Sequence, residues 1–180
     1  MQALSAKQAR LWCTRGFDSL RVSSEDVLEY KSRRRYSFLV QFPPAFRQVV
    51  ALAHDILLFT DGRDFEGGLL WLQQWSVGVN EIARVGWQSV EDFRRAHGIT
   101  ESLESAPAQV FRHDEFIELH AMLVQAMAYG WGGYFVPRVG GYFLDMRTSD
   151  RLFCRAESSQ TLKKLQSCLK GWHPAASSHS

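Results

Sequence analysis

The sequence has few features that point to secretion or to a disulfide framework. Its three cysteines, Cys13, Cys154 and Cys168, are odd in number and far apart, and none lies in a Cys-x-x-Cys pair. Small secreted domains pair their cysteines in even sets, so this usage favours a reducing compartment. Residues 1–20 hold charged side chains with no apolar run between them, which predicts that no secretory signal is present. We therefore expect a cytoplasmic protein.

A long apolar run that could cross a membrane is also lacking. The best candidate, residues 119–137, contains no Asp, Glu, Lys or Arg. A spanning helix needs about 20 consecutive apolar residues, and here Gly130, Gly132, Gly133 and Pro137 interrupt the segment. The segment is predicted to be a buried helix that leads into a strand, and no membrane association is expected.

The chain has little excess charge of either sign. It carries 21 basic and 19 acidic residues, which gives a net charge of +2. Bulk electrostatics therefore give no reason to expect nucleic-acid binding, and only a local basic patch could support it.

Motifs of catalysis and cofactor binding are missing as well. There is no Gly-x-Ser-x-Gly elbow, and the glycines around Trp131 leave a helix and enter a strand, the reverse of a phosphate-binding loop. Asp61–Gly68 gathers three carboxylates but has the wrong spacing for a cation loop, and it is interpreted as a turn. We predict no catalytic residue, no metal and no cofactor.

Large aromatic residues are what the chain has in quantity, with 12 Phe and 6 Trp among 180 residues. A chain of this length is long enough to bury a core without disulfide or metal cross-links. Residues 1–172 are predicted to form a single domain, and residues 173–180, which lack apolar anchors, a disordered tail. Aromatic side chains fill cores but also anchor interfaces, and composition does not choose between these roles.

Hydrophobic periodicity predicts an α+β fold. A period of two predicts strands at residues 35–42, 134–136, 142–147 and 152–156, the last three as an antiparallel meander. Helical spacing predicts helices at residues 4–15, 46–57, 112–129 and from Ser158 or Ser159 onward. The architecture expected is a set of helices packed on one face of a small, mostly antiparallel sheet, in which the meander is followed by a helix.

Four further segments have weaker patterns. Ser23 and Asp26 have the spacing of a helix N-terminal cap, so a short helix is predicted to start there. Residues 69–75 are apolar without a clear period and are assigned to a helix. Residues 89–97 predict a short helix, and residues 99–110 a polar connection.

Two features are candidates for partner binding. The first is the basic run Lys31–Arg35 with Tyr36, in which Arg33, Arg34 and Arg35 would contact phosphate or an acidic protein. Alternatively, these side chains keep the apolar strand that follows from pairing with other chains. The second is Trp131, which its glycine neighbours predict to be a partly exposed interface anchor, or alternatively a lid on the core.

Three functions remain open. The first is a non-enzymatic interaction protein (a regulator, an inhibitor or an immunity-type module) that binds another protein through exposed aromatic rings and arginines. The second is a nucleic-acid-binding module that uses Lys31–Arg35, extended by arginines of the meander if the Tyr36 strand lies beside it. The third is an enzyme in which His113 or His120 acts with Glu118 as an acid–base pair.

Overall fold

The computed structural model describes residues 1–32, 36–60, 66–75, 81–148 and 151–172. Arg33–Arg35 and the predicted tail lie outside these ranges. The helices are α1 (Ala6–Gly16), α2 (Phe46–Thr60), α3 (Glu81–Ala96), α4 (Phe116–Ala128) and α5 (Ser159–Cys168). The strands are β1 (Gln2–Leu4), β2 (Leu20–Val22), β3 (Leu28–Tyr30), β4 (Tyr36–Gln41), β5 (Gly68–Gln74), β6 (Ala108–Phe111), β7 (Gly132–Pro137), β8 (Tyr142–Thr148) and β9 (Arg151–Ala156).

Within the described ranges, seven strands form one sheet in the order β1-β6-β5-β7-β8-β9-β4, and β2 and β3 form a separate hairpin. All neighbouring strands are antiparallel. The predicted α+β class and the meander followed by a helix are confirmed. The Tyr36 strand does join the meander, because β4 pairs with β9 from Tyr36↔Ala156 to Gln41↔Arg151.

The two faces of the sheet carry different cores. Helices α2, α4 and α5 cover one face, and the larger core between them and the sheet includes Leu57, Leu123, Phe135 and Leu165. On the opposite face, α1 and the β2–β3 hairpin cover a smaller core. Successive side chains of β7 and β8 alternate between the two cores, as a pleated strand requires.

Local sequence signals set the ends of the first and last helices. Ser5 and Gln8 form a capping box at the start of α1, in which the Ser5 side chain accepts from the Gln8 backbone and the Gln8 side chain accepts from the Ser5 backbone. Ser158 caps α5 by accepting from the Thr161 backbone N–H at 3.1 Å. Both helices begin close to the predicted residues.

The segment at residues 69–75, predicted as a helix, is instead β5, an interior strand of the sheet. The prediction is wrong because β5 is buried on both faces, so its apolar residues run without alternation.

The helix predicted to start at Ser23 is also wrong, since Ser23–Asp26 form the turn of the β2–β3 hairpin. The Ser23 Oγ accepts from the backbone N–H of Glu25 and of Val27, and Asp26 has a φ of 60°. Ser and Asp stabilise such turns with the same short side chains that cap helices.

Two further differences concern where elements begin and end. Helix α3 begins at Glu81 rather than at Ser89, and β6 starts within the last residues of the segment that was predicted to be a polar connection. In the described part of the chain, no helix has both the length and the apolar character needed to cross a bilayer.

Candidate functional site

The side chains that β8, β9 and β4 direct away from α2, α4 and α5 form a surface that we call the arginine face. Along β9, Leu152, Cys154 and Ala156 enter the larger core, so the alternate side chains point to the opposite side. The arginine face includes Leu39, Asp145, Arg147, Arg151, Phe153 and Arg155, with Ser37 and Gln41 of β4 beside the arginines of β9.

This part of the sheet lies beyond the smaller core. That core takes side chains from β1, β5, β6, β7 and β8, but none from β9 or β4. Leu39 and Phe153, which face each other in the β4–β9 register, are half-buried and belong to neither core. An apolar pair is therefore left at the surface of the sheet.

Asp145 organises the arginines around this pair. Its carboxylate is buried and accepts two hydrogen bonds from the Arg147 guanidinium group, from Nε to Oδ1 and from Nη2 to Oδ2, each 3.0 Å long. Arg155 Nη2 donates to Oδ2 at 3.3 Å. The hydrogen bonds to Asp145 raise the pKa of Arg147. Both guanidinium groups are thus fixed as cations in defined positions.

Aromatic rings support the same two arginines. The Arg147 guanidinium lies 4.9 Å from the centroid of the Tyr134 ring, and that of Arg155 lies 5.7 Å from the centroid of the Phe153 ring. These are cation–π distances. The rings hold the flat guanidinium groups against the sheet, so less conformational entropy is lost when a ligand binds them.

Arg147 and Arg155 share the single carboxylate of Asp145, so these three side chains together carry one positive charge in excess. Arg151, the first residue of β9, is exposed, and Arg147 and Arg155 are partly exposed. Arg147 also lines a groove of about 320 Å³ that continues toward Glu25, Asp26 and Trp75. The guanidinium groups can bind carboxylates of a ligand while an apolar side chain of the same ligand contacts Leu39 and Phe153.

The predicted binding residues are distributed differently. Arg33, Arg34 and Arg35 precede β4 in the sequence and lie outside the described residues. Tyr36 opens β4, but its half-buried side chain packs against the larger core, on the other side of the sheet. The condition set for an extended basic patch, a Tyr36 strand beside the meander, is met by β4: Arg155 pairs with Ser37 near its start and Arg151 with Gln41 at its other end.

The prediction that Trp131 is partly exposed is wrong, because this residue is 1% exposed. Gly130 follows α4 with a φ of 64°. The centroid of the Trp131 ring lies 6.3 Å from that of Trp87 and 5.8 Å from that of Tyr129. The glycines beside Trp131 do not expose its ring but allow the strands to approach closely. A Cβ on Gly133 would stand 2.2 Å from the Trp71 carbonyl oxygen. The alternative interpretation, a lid on the core, matches the structure.

The residues of the acid–base hypothesis are not brought together as a pair. Glu118 lies 3.7 Å from His97, whereas a ring nitrogen of His120 lies 3.2 Å from the Val50 carbonyl oxygen and joins α4 to α2. His113 is exposed before the first turn of α4.

Cysteine chemistry has little support either. Burial raises the pKa of Cys13 to about 12 and also raises that of Cys154. The pKa of the exposed Cys168 is raised too, by partial burial and by Asp55. All three thiols are therefore protonated at neutral pH, and a thiol is a weak nucleophile and a poor metal ligand. In the ranges that the structure covers, no group of three or more His, Cys, Asp or Glu side chains is placed to hold a metal ion.

The sequence pattern contained part of the arginine face. The basic run and the meander arginines were recognised, but Leu39, Asp145 and Phe153 were missed. Strand alternation is the signal that identifies them, because each lies between two residues whose side chains enter the larger core.

No profile of a known protein family, no curated protein and no solved structure matches this chain. Its function is therefore inferred from the residues and the geometry described above.

Proposed function

We propose that this chain is a non-enzymatic interaction protein, and that its arginine face binds an acidic segment of another protein. The observation that supports this most directly is the apolar pair Leu39–Phe153, which belongs to neither core and is bordered by arginines. Protein interfaces typically have an aromatic or apolar centre with arginine among the residues that contribute most to affinity.

Charge and apolar character together favour a protein over a nucleic acid. A nucleic-acid groove neutralises many phosphates with a run of cations, whereas here Asp145 already balances one of the two charges of Arg147 and Arg155. An acidic protein segment can place carboxylates on the guanidinium groups and an apolar side chain on Phe153. Arg33, Arg34 and Arg35 are proposed to extend this contact from the start of β4.

The edge position of β4 supports the same proposal. In the described part of the chain β4 is the last strand of the sheet, and it pairs only with β9. An extended segment of a partner can pair with such an edge while its side chains reach Leu39 and the arginines. We propose the cytoplasm as the location, because the three free cysteines fit a reducing compartment.

The proposal predicts which substitutions weaken capture of the partner. Phe153→Ala is expected to weaken binding about thirtyfold, as loss of a central aromatic contact does. Arg151→Glu is expected to weaken it about tenfold, with a reduced dependence on salt. The measurement is affinity capture from nuclease-treated native lysate at two salt concentrations, followed by titration of the captured protein in purified form.

Phe46 and Arg47 on α2 provide matched controls, because both are exposed and lie on the opposite side of the sheet. Phe46→Ala and Arg47→Glu should bind as the wild type does. Equal binding by all four variants would refute the proposed surface, and a captured species that nuclease removes would instead support the nucleic-acid alternative.

A further inference from the structure

A second surface, separate from the arginine face, has the character of a ligand site. It is a groove of about 620 Å³ between α1 and the β1–β6 edge of the sheet. Its apolar lining includes Leu4, Trp12, Phe17 and Val110, and its cations are Arg15 and Arg138. The volume lies in the range of sites for small molecules, about 300–1,000 Å³.

The fold explains why an apolar surface stays open here. Helix α1 buries Ala9 and Cys13 in the smaller core, and Trp12 packs against the edge of that core while it lines the groove with Leu11 and Arg15. Trp12 and Phe17 pack together with ring centroids 5.4 Å apart, and Leu11 remains 40% exposed. On the other wall, the pairing of Gln2 with Val110 places β1 as the outermost described strand.

The two arginines of the groove differ from those of the arginine face in their partners. Neither Arg15 nor Arg138 forms an ion pair with a carboxylate of the described residues. The Arg138 guanidinium lies 6.0 Å from the centroid of the Trp12 ring, at the outer limit of a cation–π contact. Because neither cation has an acidic partner among the described residues, and Trp12 and Phe17 line the same groove, the groove is complementary to an anion that has an apolar body.

We propose that the groove binds a small amphipathic carboxylate, with its apolar body against Trp12 and Phe17 and its carboxylate on Arg15 and Arg138. The apolar lining supplies affinity by burying hydrocarbon, and the arginines select against neutral and cationic molecules of the same shape. This inference is independent of the proposed protein partner.

The test uses octanoate as the probe, with octanol and octyltrimethylammonium as neutral and cationic analogues. Binding to the full chain is measured by calorimetry and by the indole N–H signals in a nitrogen-15 NMR spectrum, where Trp12→Phe assigns the Trp12 signal. Octanoate is expected to bind, to shift the Trp12 signal, and to bind more tightly than either analogue. Decanoate should bind about fourfold more tightly than octanoate, because it adds two methylenes that are about half buried.

Arginine variants identify the site of the carboxylate. Arg15→Gln and Arg138→Gln are each expected to weaken octanoate binding about fivefold, the effect of one partly exposed ion pair. Arg84→Gln, an exposed position on α3, and Arg151→Glu on the arginine face should leave it unchanged. Absence of octanoate binding, equal binding of octanol, or equal affinities for Arg15→Gln, Arg138→Gln and Arg84→Gln would overturn the proposal without bearing on the arginine face.

Discussion

Replacement of Arg94 by alanine is expected to lower the free energy of unfolding by about 3–5 kcal/mol, because it leaves the buried Glu91 carboxylate without its counter-charge and removes a large, fully buried side chain. The Arg94 side chain is 0% exposed, and its Nη2 donates to the Ala106 carbonyl oxygen at 3.0 Å. Its Nη1 lies 3.9 Å from Glu91, whose carboxylate accepts from the Leu103 backbone N–H at 2.6 Å. Burial lowers the pKa of Arg94, as expected for a cation held away from water. Through their hydrogen bonds to Ala106 and Leu103, Arg94 and Glu91 hold residues 99–107 against α3.

The adjacent arginine provides the control for this prediction. Arg95 is exposed and pairs with Asp92 at 2.7 Å, so Arg95→Ala should change the free energy of unfolding by less than about 0.5 kcal/mol. Urea unfolding followed by circular dichroism measures both variants. If Arg94→Ala unfolds at the same urea concentration as Arg95→Ala, the buried pair does not have the structural role assigned to it.

Replacement of Trp131 by alanine is expected to lower the free energy of unfolding by about 3–5 kcal/mol, as removal of a buried aromatic residue does. The Trp131 ring connects α3, through Trp87, to the end of α4, at Tyr129. Close packing there also depends on Gly86, since a Cβ on it would stand 2.8 Å from the Tyr129 ring. The alanine variant would leave a cavity where these elements meet.

Trp131→Phe should lower the free energy of unfolding by much less, about 1–2 kcal/mol, since phenylalanine fills most of the volume that the tryptophan ring occupies. The Trp131 Nε1 is buried and makes no hydrogen bond to the described residues, so its loss removes no partner. Phe46, an aromatic residue that is 64% exposed, serves as the control, and Phe46→Ala should leave stability unchanged. Thermal unfolding in which Trp131→Ala matches Phe46→Ala would contradict the buried position of Trp131.

Elements with one buried face were the easiest to predict from the sequence. β4, β9 and α5 show a clear apolar period because one side of each meets the larger core. β7 and β8 contact both cores, and the short connections between the strands of the meander are what predicted them. β5 is an interior strand of the sheet with a core on either side, so its residues show no period. β1 and β6 are short, and their pairing joins residues about a hundred positions apart, which no local pattern records.

The candidate site was only partly predictable for a related reason. Arginines near the Tyr36 strand are visible as charges, but whether Leu39 and Phe153 are covered depends on where α1 and the β2–β3 hairpin pack. For Trp131 the sequence suggested exposure and the ring is buried. The glycines beside it allow neighbouring backbone segments to approach each other, and they do not determine whether the ring is exposed. Exposure is a property of tertiary packing, and strand periodicity fixes only which residues share a face.

The central claim is that the Leu39–Phe153 surface is in direct contact with a protein partner, and site-specific photo-crosslinking tests it most directly. A benzoylphenylalanine is placed at position 39, or at position 58, where Leu58 on α2 is 46% exposed. The account predicts an adduct from position 39 that protease destroys and nuclease does not, and no such adduct from position 58. Adducts of equal yield from both positions, or an adduct from position 39 that nuclease degrades, would contradict it.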